Sequence, residues 1–211
     1  MCREIDCGGQ GTEEWLKARL GVPSASNFAK VVTTAGKRST SFNGYVNALI
    51  AEKLTGDPTY VKITEPMERG TSLEDEARAM YQLIEEVDIR QVDFIKHPNM
   101  EVGCSPDGLI DKEQDGLIGG LEIKCPLQGT HVEYLRAGKL PSKYLLQVQG
   151  CMFVTGRGFW DFMSYHPKMR PFMIRTYRDD DLINELVTNL QEAVLLIEEG
   201  VNKFQWDGVN T

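Results

Sequence analysis

At 211 residues, 41% hydrophobic and 26% charged, the chain has the composition of an ordinary globular protein, long enough to bury a core without staples. No apolar run approaches the roughly 20 residues of a membrane helix, and Met1–Asp6 lacks the apolar stretch of a signal peptide, so a cytoplasmic protein is expected. A net charge of −8 argues against an open basic surface for nucleic acid and leaves room only for positive residues gathered in a cleft or channel.

Thr12-Glu13-Glu14-Trp15 opens a short helix, with Thr12 as its cap, the glutamates at the positive end of the dipole and Gly21 as its stop. Ser24 starts a second helix over Ala25–Val32, and Thr33–Thr40, with Gly36-Lys37-Arg38, is a polar loop. Residues 42–55 set Val46, Leu49, Ile50 and Leu54 at helical spacing and end at Gly56. A longer helix is predicted from about Ser72 to Glu86, with Leu73, Ala77, Met80 and Leu83 or Ile84 inward.

The period then changes. Residues 92–95, 102–104, 107–110 and 117–125 are strand-like and separated by Gly, Pro, Asn and Asp. Helical spacing returns at 130–137 and 142–154, two further strands are predicted at 159–165 and 172–177, and an amphipathic helix closes the chain at 180–199. The fold class is α/β: one domain over 1–211 with a central mixed β-sheet flanked by helices, those of 12–86 packing on the sheet together with those of 92–199. The five cysteines are odd in number and form no CxxC pair, which fits free thiols, and the three scattered histidines receive no metal role.

The chemistry lies in the strands. Leu121, Ile123 and Cys125 alternate with Glu122 and Lys124, so both charges share one face of a strand. Such a pair is also what a solvated strand face with a weak surface ion pair looks like. Three features favour a site: the apolar flanks of a central strand, Asp107 after Ser105-Pro106 at a neighbouring strand's mouth, and Gly119-Gly120, which admit a close backbone or ligand. The carboxylates of Asp107 and Glu122, with the backbone carbonyl of Ile123, would bind Mg²⁺ or Mn²⁺, hard ions that prefer oxygen. Lys124 would orient or deprotonate water, or stabilise developing negative charge; the sequence does not separate these roles.

Ser105-Pro106-Asp107-Gly108-Leu109 followed by Leu121-Glu122-Ile123-Lys124-Cys125-Pro126 resembles the PD-(D/E)xK nuclease superfamily. The flanking residues resemble its bacteriophage lambda exonuclease (YqaJ-type viral recombinase) branch. Trp15-Leu16-Lys17-Ala18-Arg19-Leu20-Gly21 with Ser24-Ala25-Ser26 is similar to that family's N-terminal segment. Arg69 to Ala77 is similar to its glutamate-bearing helix, and Gln147 to Met152 to the helix after the site.

The resemblance implies a restriction-endonuclease-like core and a Mg²⁺-dependent 5′→3′ exonuclease. Such an enzyme acts on double-stranded DNA ends and leaves 3′ single strands for recombination, with Mn²⁺ able to substitute and two ions per site. Glu74 would join the metal site directly or through water, and Gln147 would hydrogen-bond near Lys124 and the nucleophile. Arg19, with Ser26 and Ser105, would hold the terminal 5′ phosphate, a task suited to a guanidinium fork. Trp15 is expected as a packing anchor, and Met67 as an apolar wedge between the strands. The resemblance further implies a ring-shaped homotrimer threaded by duplex, lined by Lys30, Lys37, Arg38, Arg136, Lys139 and Lys143, a single-strand annealing partner, and work in a bacterial cytoplasm. The alternatives are a RecB-like nuclease of other polarity, an endonuclease, or a non-catalytic DNA-end-binding protein on the same fold.

Overall fold

Helices and strands follow these apolar periods over most of the chain, which the computed structural model describes for residues 2–59 and 65–206. First come β1 (Arg3–Ile5), α1 (Glu13–Arg19), a 3₁₀ turn (Ala25–Lys30), α2 (Phe42–Thr55) and α3 (Glu65–Glu85). Four strands fill the middle: β2 (Phe94–Lys96), β3 (Gly103–Cys104), β4 (Gly108–Gln114) and β5 (Leu117–Lys124). Then follow α4 (Gln128–Ala137), α5 (Ser142–Thr155), β6 (Phe159–Ser164), β7 (Phe172–Tyr177) and α6 (Asp180–Phe204).

Local chemistry sets the ends. The Thr12 hydroxyl accepts from the Trp15 amide and caps α1. Gly56 and Gly156 close α2 and α5 at φ 75° and 73°, a left-handed turn that a side chain would resist. The helix at α3 begins at Glu65 rather than Ser72, running through Gly70; one helical glycine costs only about 1 kcal/mol and does not stop a helix. Its inward residues match expectation at Leu73, Ala77 and Met80 and differ beyond them. Ala77 and Tyr81 are fully buried, while Leu83 is 75% exposed and Ile84 44%. Tyr81 lies one turn beyond Ala77 and its hydroxyl finds Asp161, so a polar-tipped ring takes the place predicted for Leu83.

The main sheet runs β4-β5-β6-β7, with β5 parallel to β6 and the other neighbours antiparallel. A parallel pair needs a long crossover, and α4 and α5 supply it. A second antiparallel sheet runs β1-β2-β3, and Arg90, in the segment leading into β2, forms a bridge with Leu109 of β4. The mixed sheet is covered on both faces. On one, Ala77 and Tyr81 of α3 pack with Leu121, Ile123, Phe159 and Met163. On the other, Leu146, Met152 and other residues of α5 join Trp160, Leu109 and the α2–α6 helices.

Gly119 and Gly120 admit neither backbone nor ligand. The rings of Phe159 and Trp160 from β6 lie over them; a Cβ would come within 2.1 Å and 2.4 Å of those rings. The glycines therefore bring β5 under two buried aromatics, two residues before the charged pair.

Candidate active site

Leu121 and Ile123 turn towards α3, so period two sends Glu122 and Lys124 to the opposite face, under α5. Gly108 pairs with Leu121, and continuing that register sets Asp107 beside Glu122. Asp107 Oδ2 accepts from the Ile123 amide at 2.6 Å. Leu109 exchanges both backbone bonds with Arg90, so its neighbours Gly108 and Ile110 are the β4 residues that bond β5. Gly119, Leu121 and Ile123 hence direct N–H and C=O towards β4, and the Ile123 carbonyl shares the edge where Asp107 sits.

Glu122 is 1% exposed. Its Oε1 takes two donors, the Lys124 ammonium and Gln147 Nε2, the latter at 2.6 Å. Gln147 thus reaches the glutamate that pairs with Lys124 rather than the lysine itself. Glu122 Oε2 is buried and has no hydrogen-bond partner among the described residues. Burial, and then the charge of Asp107, push the Glu122 carboxyl up to about 7 against the pull of Lys124 and Gln147. Burial pulls the Lys124 ammonium down, but the carboxylates of Glu122 and Asp107 outweigh it, and its pKa ends above the ordinary lysine value.

Glu74 approaches from α3, half-buried; burial and the charge of Asp107 raise its pKa. One of its oxygens accepts from Arg78 at 2.6 Å. The structure therefore gathers Asp107, Glu122, Lys124, Glu74 and Gln147 from four stretches of chain at one sheet end. An unpartnered buried carboxylate oxygen beside a second carboxylate fits a hard divalent cation, which would satisfy the oxygen and relieve the repulsion. Among the described residues no three Asp, Glu, His or Cys side chains already close on one point, so water would complete the shell of such an ion.

A second cluster adjoins the first. The Arg19 guanidinium lies 4.0 Å from the Trp15 ring centroid, and Trp15 Nε1 donates to Ser105 Oγ at 2.9 Å and to the Asp93 carbonyl at 3.1 Å. Arg19 Nη2 donates to Ser24 Oγ at 3.3 Å, and Ser24 in turn meets Ser26 and Asn27. Arg19, Ser26 and Ser105 share a neighbourhood, linked through Trp15 and Ser24 rather than by hydrogen bonds to one another. Trp15 is more than a packing anchor, because its indole links Arg19 to the loop that ends at Asp107. Ser24, which the sequence offers as a helix cap, makes no side-chain cap bond and serves this cluster instead.

Sequence reasoning missed Ser24, Asn27, Arg78 and Tyr144. Tyr144 lies three residues before Gln147 on α5, with the Lys124 ammonium 5.6 Å and the Lys143 ammonium 4.9 Å from its ring centroid. Its only sequence signal is that helical spacing. Of the six basic residues predicted to line a channel, Arg38 is committed to Glu192 and the Phe42 ring. Met67 has its backbone in α3, and its side chain lies outside the described residues.

Residues 14–158 match the YqaJ-like viral recombinase domain. The crystal structure of an alkaline exonuclease (LHK-Exo) from Laribacter hongkongensis is similar at 37% identity, with a TM-score of 0.81 over 91% of this chain and 95% of that one. LHK-Exo in complex with dAMP gives 36% identity and a TM-score of 0.80, again over 91% of this chain and 95% of that one. A phage related exonuclease from Haemophilus somnus 129PT shares the fold at 14% identity, with a TM-score of 0.67 over 86% of this chain and 96% of that one. No curated protein matches the chain.

Proposed function

This chain belongs to the YqaJ-like viral recombinase domain family, and from that premise we propose a Mg²⁺-dependent exonuclease that degrades one strand of double-stranded DNA from its 5′ end. The 3′ single strand left behind would serve homologous recombination by strand annealing. The likeness to LHK-Exo, an alkaline exonuclease 37% identical to this chain, supports the reaction class. One observation carries the reading: Glu122 Oε2 is buried beside Asp107 without a partner among the described residues, with Lys124 and Gln147 holding the other oxygen.

Asp107, Glu122 and the Ile123 carbonyl would hold the cation, with Glu74 contributing from α3. When bound, a divalent ion neutralises charge on a scissile phosphate and makes water more acidic. Lys124 enters as a cation, because the carboxylates around it favour its charged form. In that form it would orient water or stabilise negative charge, and it would take a proton only once a bound cation has drawn off the carboxylates' charge. Gln147 fixes Glu122 so that its free oxygen keeps one direction. Arg19, with Ser24, Ser26 and Ser105 beside it, would grip the terminal 5′ phosphate and so set the polarity.

A ring-shaped homotrimer belongs to the same proposal, because it reconciles the −8 charge with DNA binding by confining basic residues to a channel. So do a single-strand annealing protein as partner and the bacterial cytoplasm as working compartment. Among the described residues no helix is long and apolar enough to cross a membrane.

Linear duplex labelled at its 5′ or its 3′ ends tests the reading. Mg²⁺-dependent release of labelled mononucleotide from 5′ ends, with 3′ label retained, is expected. First release from 3′ ends would reverse the polarity, and binding without release would leave only an end-binding protein.

A further inference from the structure

Glu74 and Asp107 reach the site from different elements, a helix and the loop before β4, 33 residues apart in sequence. One side chain touches both. Arg78 follows Glu74 by one helical turn and is 7% exposed. Its Nη2 donates to Glu74 Oε1 at 2.6 Å, and its Nε donates to the Asp107 backbone carbonyl at 3.0 Å. Nη1 donates to Asp75 Oδ1 at 2.6 Å. With its amide oxygen turned to the guanidinium, Gln91 also accepts from Nη1 at 2.8 Å.

A buried cation is tolerated only where its donors are met. The Asp75 side chain is 94% exposed, so its pairing is screened by water and weak. The less exposed partners are Glu74 and Asp107. Nor is Arg78 needed to fasten α3 to the sheet, because other bonds on the same helix do that. The Tyr81 hydroxyl donates to Asp161 Oδ2 at 2.5 Å, Arg175 clamps Asp161 at 2.8 and 2.6 Å, and Tyr165 donates to Glu76 at 2.5 Å. What Arg78 adds is the placement of Glu74 relative to Asp107.

We propose that Arg78 is a positioning residue which, by bonding the Glu74 carboxylate and the Asp107 backbone at once, sets the spacing of these two groups around the cation. The inference rests on the metal-dependent reading above. A planar guanidinium sends donors in three directions from one rigid centre; an ammonium on a flexible stem cannot reproduce that. Lysine would keep the charge and lose the geometry.

Full-length wild type, Arg78→Lys, Arg78→Gln and Tyr81→Phe are compared by three measurements. These are Mn²⁺ affinity by electron paramagnetic resonance, the Mg²⁺ concentration for half-maximal nucleotide release, and the thermal midpoint. Both Arg78 variants should weaken Mn²⁺ binding and raise the half-maximal Mg²⁺ at least about tenfold, the ratio that 1.4 kcal/mol produces, with the KM for DNA near the wild-type value. Tyr81→Phe, which loosens the same helix, should lower the thermal midpoint and leave metal dependence as it was. If Arg78→Gln does not fold, Arg78→Lys, which keeps the buried charge, carries the test. A folded Arg78→Lys with wild-type metal affinity, beside a metal-dependent wild type, overturns this inference alone. A wild type that is inactive or needs no divalent ion overturns the parent reading and this one with it.

Discussion

Without the divalent cation that the proposed function calls for, Glu122 should be a liability whose size depends on pH. Burial and Asp107 raise its carboxyl from 4.5 to about 7 in the folded protein. The folded state therefore binds a proton that the unfolded state has released between those values, and metal-free stability falls as pH rises through that window. At about 1.4 kcal/mol for each tenfold change, the ceiling is about 3 kcal/mol, of which about 2 kcal/mol falls between about pH 5.5 and about pH 8. Glu122 is 1% exposed, so solvent screening takes little from this figure.

Other titrating groups set the background. Glu74, also raised, adds in the same direction. Burial lowers His97, which works the other way, since a proton taken up by the unfolded chain below its ordinary value is lost as pH rises. Lys124 is raised above the ordinary lysine value, so its contribution holds across the window and fades only in alkali. Subtracting Glu122→Gln isolates the one carboxyl. In urea unfolding with a chelator, the stability of wild type minus that of Glu122→Gln should shrink by about 2 kcal/mol from about pH 5.5 to about pH 8. Added Mg²⁺ should stabilise wild type more at the higher pH, and Glu122→Gln much less, because a ligand of the folded state raises its stability by mass action. A difference that stays flat with pH, or an equal Mg²⁺ effect in both proteins, would refute a buried, metal-ready Glu122.

Lys124→Ala should cut nucleotide release at least about a hundredfold, the scale of losing one aligned charge contact in a transition state, while duplex binding in a gel-shift assay stays near wild type. If Arg19 grips the terminal phosphate, 5′-phosphorylated ends should be degraded faster than 5′-hydroxyl ends, and Arg19→Ala should erase that difference; its persistence would move the phosphate site elsewhere. Gly120→Ala would drive a Cβ to 2.4 Å from the buried Trp160 ring and should cost about 1–3 kcal/mol in urea unfolding by overpacking. Gly129→Ala, in α4 with nothing within 4 Å of the new Cβ, should be neutral or gain up to about 1 kcal/mol.

The parts of this site that were legible in sequence are those whose chemistry is local. Asp107, Glu122 and Lys124 could be read because a strand's period puts two charges on one face, and because apolar flanks make a solvated face an awkward home for them. The helices expected at 42–55 and 142–154 could be read from their apolar stripes, and the first also from Gly56 at its end. The same local logic failed where a distant group decides. Leu83 lost the inward place on α3 to Tyr81 because Asp161, eighty positions away, offers the hydroxyl a partner. Gly119 and Gly120 looked like room for a ligand, and only the register of β6 reveals that two rings fill it.

Arg78 marks the limit most clearly. Glu74 and Arg78 at helical i,i+4 spacing look in sequence like a surface ion pair worth a few tenths of a kcal/mol. The spacing is right and the environment is wrong, because the α3 face that carries the pair turns towards the loop before β4, where the Asp107 carbonyl waits. Groups that touch a cation must be a few residue types in a recognisable order, so sequence betrays them. Groups that hold those residues in place can be any donor that reaches, and only the packing of α3 against the sheet identifies which one does.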